Sequence, residues 1–472
     1  MQSLIISTLA EYQTEFWAPV GKELEARGCA VTFVSCDTRS TQMLRQAGLD
    51  VIEATLSARL AALGTSDAEQ VCTAHGIANP AALLTHERFA FAERDSDLLL
   101  RKLAGSLVVG DIALERARAK GDPVLVQELG GFLSVLGLHH AALHAEVESL
   151  FIEPSFFKGR MLFVANTIGA LRLEREARAP VPPELDAYFD EALSSGTVVI
   201  PQKDRHHYSG AAKKLLNTRN IRRLVEKVRD KYLLGAEQEF GAIGHHVRTH
   251  LRMLGASIRL RGEFTPLGEL GRFVYYPLHV PGDVALTLRS PQYLDQLALL
   301  DYLCRTAPLG TVIATKEHPA MIGAVPSEGL LALKRRYDHF AILPPSTNNY
   351  TVLREAASIV TVNSKSGAEA GLLGRNVIVL GDAFYREAPF AHALGQLGEV
   401  GPAIASHMSG ALPDPDETAT RGYFAALWQQ TYPGELYVAD AQNVPRFTGS
   451  LLQALADEAW NPADNSDARM SA

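Results

Sequence analysis

From Ala357 to Gly381 the chain alternates between two kinds of segment. Ala357-Ser358-Ile359-Val360-Thr361-Val362 is an uninterrupted apolar run; Ser364-Lys365-Ser366-Gly367 is a polar turn; Ala368 to Leu373 is helix-forming; Asn376-Val377-Ile378-Val379-Leu380-Gly381 is apolar again. Strands buried on both faces read as such runs, and a helix between two of them makes a right-handed crossover, so the segment predicts a parallel α/β sheet. A glycine-containing turn that opens a helix after a strand also gathers free backbone N–H groups at a positive helix end, which suits a phosphate. Ser364 and Ser366 add hydroxyls, and Glu369 stands in the first helical turn, where a carboxylate can accept from ribose hydroxyls. Taken alone, the same segment is equally an ordinary capped helix.

The rest of the chain extends the pattern. Ser3 to Thr8 reads as a strand, Trp17 to Arg27 as a helix stopped by Gly28, and Ala30 to Ser35 as a second strand. Residues 55–125 are mostly helical in pattern. Pro123 to Val126 begins another strand, Gly130 to Glu148 reads as a helix, and Leu150-Phe151-Ile152 as a strand ended by Glu153-Pro154. After the proline-rich break at 179–183 and a short strand around Val198, residues 203–261 carry fourteen Lys/Arg against five Asp/Glu, much of it in amphipathic helical pattern. A second series of strands follows at Phe273–Leu278, Val312–Thr315, Phe340–Leu343, Ile359–Val362 and Val377–Leu380. The expected units are 1–262, 263–460 and a disordered tail from 461 to 472.

With 472 residues, 47% of them hydrophobic, two cores are affordable; a net charge of −8 argues against a basic nucleic-acid binder. Cys29, Cys36, Cys72 and Cys304 lack CxxC spacing, which points to a reducing compartment without zinc or a disulfide framework. The first sixteen residues have no basic leader and no cleavage site, so they read as a strand, and Leu129–Ala145 is too short to span a bilayer. His140 and His144 lie one helical turn apart with no third ligand, which favours packing. Asp414-Pro415-Asp416 sits in an acidic loop and reads as solvated surface. There is no Walker A pattern.

Three polar clusters fall at carboxyl ends of strands in the second half, where open α/β sheets bind ligands. They are Tyr276-Pro277-Leu278-His279-Val280-Pro281-Gly282-Asp283, then Lys316-Glu317-His318-Pro319, then the turn at Ser364. Glu153 holds the corresponding position in the first half. Together they bring a carboxylate from each half, two cationic or protonatable side chains and an anion-binding turn toward one crevice. That inventory suits a nucleotide-sugar. Each member has a plainer alternative: Asp283 as a turn cap, His318 as a loop histidine, Glu153 as a surface residue.

The strings YYPLHVPGD with the following SP, KEHP, and VTVNSKSGAEAGLLGRNVIVLGDAFY resemble the bacterial capsule-polysaccharide biosynthesis family of retaining β-Kdo glycosyltransferases, over roughly 270–390 and more loosely around FIEPSFFKGR. The resemblance implies a GT-B-like α/β fold, two Rossmann-type domains facing a central cleft, and CMP-Kdo as donor without metal or cofactor. It makes Asp283 the counterpart of a nucleophilic aspartate and Glu153 that of the acid/base, with His318 also in the catalytic set. Lys316, His318, Pro319, Ser364, Ser366, Gly367 and Glu369 fall where the family binds nucleotide and phosphate. His279, where relatives carry Gln, and Glu11 are expected to contact sugar or acceptor. The implied partners are a CMP-sugar and a glycan or glycolipid acceptor, with no nucleic acid. The expected location is the cytoplasm, and peripheral on the inner membrane if the basic segment is a membrane-facing surface rather than an acceptor-facing one or a plain solvated helix face. Two other readings stand beside this one: transfer from another CMP-, UDP- or GDP-sugar, and a non-catalytic subunit for polysaccharide binding or export assembly.

Overall fold

A computed structural model describes residues 1–196, 229–230, 233–240, 243–318, 321–410 and 412–457. The strand expected around Val198, most of the basic segment, Pro319 and the tail lie outside the described residues.

Two separate sheets organise the chain. The first contains β1 (Gln2–Thr8), β2 (Ala30–Ser35), β3 (Val51–Glu53), β4 (Asp122–Glu128), β5 (Glu148–Pro154), β6 (Arg160–Ala165) and β13 (Tyr432–Pro433), in the order β13-β6-β5-β4-β1-β2-β3. β1 to β5 pair in parallel, while β6 and β13 run antiparallel at one edge. The second contains β7 (Phe273–Pro277), β8 (Val312–Lys316), β9 (Phe340–Ile342), β10 (Ser358–Thr361), β11 (Val377–Val379) and β12 (Ala391–Ala393), all parallel, in the order β12-β11-β10-β7-β8-β9. This is an α/β fold with two sheet-containing domains, consistent with a GT-B-like pair of Rossmann-type units.

The strand runs are continuously apolar because each sheet is covered on both faces. Successive side chains of a strand point to opposite faces. In the first sheet Ile5, Val34, Leu125 and Phe151 enter one core, while Leu4, Phe33, Val126 and Leu150 enter the other. In the second, Tyr275, Ala314 and Ile359 lie on one side, and Tyr276, Ile313 and Val360 on the other. In each sheet the strand order reverses at one point. In the first it falls between β1 and β4, in the second between β7 and β10. The carboxyl ends flanking these points are the places where such sheets hold ligands.

Several sequence expectations change. The first helix is longer than Trp17–Arg27, running from Glu11 to Ala26, and the one after β4 is shorter than Gly130–Glu148, running from Leu133 to His144. The strands β3, β6, β12 and β13 were not anticipated. A single changeover at 262/263 does not divide the sheets. The helix Glu417–Gln429 packs Phe424 and Leu427 into the second domain's core, but β13 then pairs with β6 and the helix Asn443–Ala456 inserts Phe447 and Leu451 beside Phe16 and Trp17. Phe447 stacks edge-to-face on both rings, at 4.9 and 5.4 Å. The last 25 or so described residues therefore belong to the first sheet. Within the basic segment, Asp230 pairs with Arg39 at 2.7 Å and Glu239 with the buried Arg59, whereas Leu260 of the helix Ile243–Leu260 enters the second domain's core. Among the described residues no helix is long and apolar enough to cross a membrane.

Candidate functional site

The second domain's reversal point is framed by the ends of β7 and β10, and the polar clusters sit there. After β10, Ser364 caps the helix Lys365–Leu372, its Oγ accepting from the Ser366 N–H at 3.2 Å, while its own N–H donates to Thr361 Oγ1 at 3.0 Å. The helix begins three residues earlier than the apolar pattern implied, because this cap already satisfies its first turn. Gly367 is required by a neighbour: a Cβ there would lie 2.3 Å from the Tyr385 hydroxyl, which donates to the Ser364 carbonyl.

Asn349 ties the site together. Its Nδ2 donates to Ser366 Oγ at 3.1 Å and to Glu369 Oε2 at 2.9 Å, and its Oδ1 accepts from Tyr275 of β7 at 3.1 Å. Glu369 is buried, which pushes its carboxyl up to about 7 despite the Asn349 hydrogen bond and the nearby charges of Lys365 and Lys316. Burial likewise holds Lys316 down at about 8, partly offset by the Glu369 charge, and its Nζ donates to the Thr347 carbonyl at 2.9 Å. Lys316, Ser366 and Glu369 thus form one cluster. Asn349 was missed, although Pro345-Ser346-Thr347-Asn348-Asn349 repeats the signal of a polar turn opening a helix after a strand.

After β8, Glu317 is buried and accepts from the Gly323 N–H at 3.0 Å, with burial raising it to about 7. His318 is half-buried and its carbonyl accepts from Met321 N–H at 2.9 Å. After β7, His279 is buried; its N–H and carbonyl are both held by the Gln296 amide, and burial lowers its ring to about 4, so it is neutral near pH 7. Gly282, at φ +83°, turns the chain into a short helix that Asp283 caps, Oδ1 accepting from Ala285 N–H at 3.0 Å, on an exposed position. Asn363, just before the Ser364 turn, donates to the Ala285 carbonyl at 2.6 Å and to Ser290 Oγ at 3.2 Å. The Asp283 segment and the Ser364 turn are therefore neighbours.

Two contacts join this edge to the first domain. Arg289 grips Glu153 with both terminal nitrogens, one pair at 3.0 Å, and donates to the carbonyls of Ile168 and Gly169 at 2.8 and 3.0 Å. Glu153 thus lies at the domain junction, engaged by a guanidinium rather than open to the crevice. His86 Nδ1 lies 2.7 Å from Thr287 Oγ1, and burial lowers this ring to about 4. Arg289 and His86 carried no sequence signal, since each meets its partner across more than a hundred residues. Glu11 does not join the cluster; it opens the first helix, 3.6 Å from Arg39. Asp416 caps the helix Glu417–Gln429, and His144 packs on His75 with ring centroids 5.0 Å apart. Among the described residues no group of three or more His, Cys, Asp or Glu is placed to hold a metal ion.

Comparison with known proteins relates part of the chain to a family. Residues 177–390 match the family model described as "Capsule polysaccharide biosynthesis protein". Protein FixF of Sinorhizobium fredii (strain NBRC 101917 / NGR234) is 30% identical over 174 residues, which cover 35% of this chain and 39% of that protein. The chain thus spans about two fifths of that relative's length. Among solved structures, the Thermosulfurimonas dismutans KpsC β-Kdo 2,7 transferase is similar at a TM-score of 0.34 and 15% identity, over 72% of this chain and 88% of that one. Anabaena Alr3699/HepE in complex with UDP is similar at 0.31 and 13%, over 97% and 100%. Over residues 177–390 the chain is similar to the capsule polysaccharide biosynthesis family.

Proposed function

We propose that this protein is a GT-B-like glycosyltransferase that takes its sugar from a nucleotide donor held at the second domain's reversal point. The observation that carries the reading is the cluster of Lys316, Asn349, Ser366 and Glu369 beside a capped helix start. It offers a cation, Lys316, and the Ser366 hydroxyl for phosphate, and a buried carboxyl, Glu369, for a ribose hydroxyl. The match of residues 177–390 to the capsule family model supports it. The test is thermal unfolding with CMP, UDP, GDP and dTDP. The cognate nucleotide is expected to stabilise the protein by about 2.7 kcal/mol at a hundredfold excess over its Kd. If none of the four raises the unfolding temperature, the reading fails.

The two titrating groups set a pH dependence. Below about 7 Glu369 is neutral and Lys316 charged, the combination that favours a phosphate; above about 7 Glu369 becomes anionic, and above about 8 Lys316 loses its charge. Both changes weaken anion binding. Nucleotide affinity measured by calorimetry is therefore expected to fall from pH 7 to 9, by at most about tenfold per pH unit for each linked proton. A flat or rising profile would show that the phosphate sits elsewhere.

A narrower version, supported by the motifs resembling the β-Kdo transferases, makes CMP-Kdo the donor and Asp283 the nucleophile. An Asp283 oxygen attacks the anomeric carbon, CMP departs with the bonding electron pair, and an acceptor hydroxyl then displaces the aspartate while giving up its proton. Its exposure beside the Ser364 turn favours Asp283 for this role. Glu153 can serve as the base only if Arg289 releases one of its oxygens. In this reading the acceptor is a glycan or glycolipid, and the protein works in the cytoplasm at the inner membrane. The helix Ile243–Leu260 supports that location, with Val247, Leu251 and Ile258 exposed beside Arg248 and Arg252.

A further inference from the structure

The helix Thr85–Ala90 of the first domain lies against the helix Val284–Thr287 of the second, the one that Asp283 caps. We propose that His86 is a positioning residue: from across the domain junction it holds the Asp283 helix, so that the first domain aims the nucleophile of the second. The inference rests on the narrower reading above, in which Asp283 attacks the donor.

A chain of hydrogen bonds links the two residues. Thr287 donates to the Asp283 carbonyl twice, from its N–H at 2.9 Å and from Oγ1 at 3.0 Å. Since the hydroxyl gives its one hydrogen to that carbonyl, His86 Nδ1 carries the proton of the next contact and donates to Oγ1, 2.7 Å away. The ring thus reaches the backbone of Asp283 through a single side chain. On the other flank of Asp283, Ala90 Cα stands 4.0 Å from where a Cβ on Gly282 would lie. The same first-domain helix therefore borders the turn that precedes the carboxylate.

The Asp283 helix needs such support. Its four residues are too few to hold a helical turn by themselves, because nucleation fixes several dihedrals for a single hydrogen bond. Asn363 braces it from the Ser364 side, donating to the Ala285 carbonyl at 2.6 Å, and His86 braces it from the first domain. A hydrogen bond from each domain therefore meets on the element that carries Asp283.

His86 is itself fixed. Its ring is buried and meets Phe132 edge-to-face at 4.7 Å, and Gly131 backs so closely on it that a Cβ there would collide with the ring. The neighbouring Glu87 pairs with Lys102 and accepts from Leu133 N–H at 3.0 Å, which ties the helix to the first domain's core. Nε2 is buried and has no partner among the described residues, so the bond to Thr287 is the ring's one hydrogen bond there. An apolar side chain of similar size would avoid that unpaired nitrogen, but it could not direct the Thr287 hydroxyl. The contribution of the ring is orientation rather than stability.

The test follows, by intact mass at saturating CMP-Kdo, the full chain carrying Glu153→Gln, which is expected to trap the sugar on Asp283. Added to it, His86→Leu, which keeps the bulk, and Thr287→Val, which keeps the shape, are each expected to slow formation of the adduct by about tenfold to a hundredfold, the scale of a misplaced reacting group. CMP affinity by calorimetry is expected to stay within about twofold, a split that a general loss of folding would not produce. Together the two substitutions should be no worse than either, since both break one bond. His86→Asn and Thr287→Ser, which keep the donor and the hydroxyl, are expected to recover most of the rate. Independently of any reaction, hydrogen exchange at the amides of 284–289 is expected to quicken in His86→Leu more than elsewhere in the second domain. The proposal is overturned if that exchange is unchanged, if the adduct forms at the parent rate, or if the two losses add. Quickened exchange with no adduct in any protein, the parent included, would uphold His86 as the tie on this helix and remove the nucleophile reading.

Discussion

Asp283→Ala is expected to reduce sugar transfer by about a thousandfold or more, the scale of losses when an enzyme's nucleophile is deleted, while nucleotide binding persists. The side chain is exposed and caps a four-residue helix, accepting from Ala285 N–H. Losing such a cap costs about 1 kcal/mol, so the variant should fold and a large activity loss would report chemistry. The partner experiment is Glu153→Gln. If Glu153 activates the acceptor, the second displacement slows more than the first. The protein then accumulates with one sugar attached, seen by intact mass and mapped to the peptide that contains Asp283. An Asp283→Ala protein that transfers at near-normal rate with retained anomeric configuration would end the double-displacement reading and leave the broader one standing.

Arg289→Ala is expected to destabilise the protein by about 3–5 kcal/mol, read as a drop in the urea midpoint of unfolding. Both members of the pair are mostly buried, with 12% and 17% of their side-chain surface exposed. Burial alone would make Arg289 easier to deprotonate, but the Glu153 charge and hydrogen bonds reverse that and keep the guanidinium firmly charged. Removing it strands a carboxylate and takes a donor from the carbonyls of Ile168 and Gly169. The penalty comes from the isolated charge rather than from the net worth of the pair, so Arg289→Met with Glu153→Leu should recover most of the loss. A double variant as unstable as Arg289→Ala would mean that the contacts to the carbonyls of Ile168 and Gly169, in the irregular segment after β6, matter more. Asp382 reinforces that joint, accepting from Ala170 N–H at 2.9 Å and from Arg172 at 2.8 Å.

Strands such as β2, β7, β8 and β10 were legible because a parallel strand covered on both faces must be apolar at every position, and that is a local property. So was the placement of Lys316, Ser364, Ser366 and Glu369 at strand ends, since it needs only the boundary between an apolar run and a polar turn. β13 was not legible: its two residues, Tyr432 and Pro433, are too short for any period, and its pairing with β6 crosses some 270 residues. The helix after β10 starts three residues before its apolar pattern because Ser364 caps it, and the need for glycine at 367 comes from Tyr385, eighteen positions later.

By itself, then, the sequence determined the two series of parallel α/β units and the residues offered at their strand ends, because side-chain periodicity is set by neighbours two to four positions away. Only the tertiary structure decided what those residues meet. It paired Glu153 with Arg289 and His86 with Thr287, centred the cluster on Asn349, and returned Tyr437 to the first sheet beside Glu128. Such contacts depend on strand order and on where the chain crosses between domains. They are fixed by the joint packing of distant segments, which no short window of sequence contains.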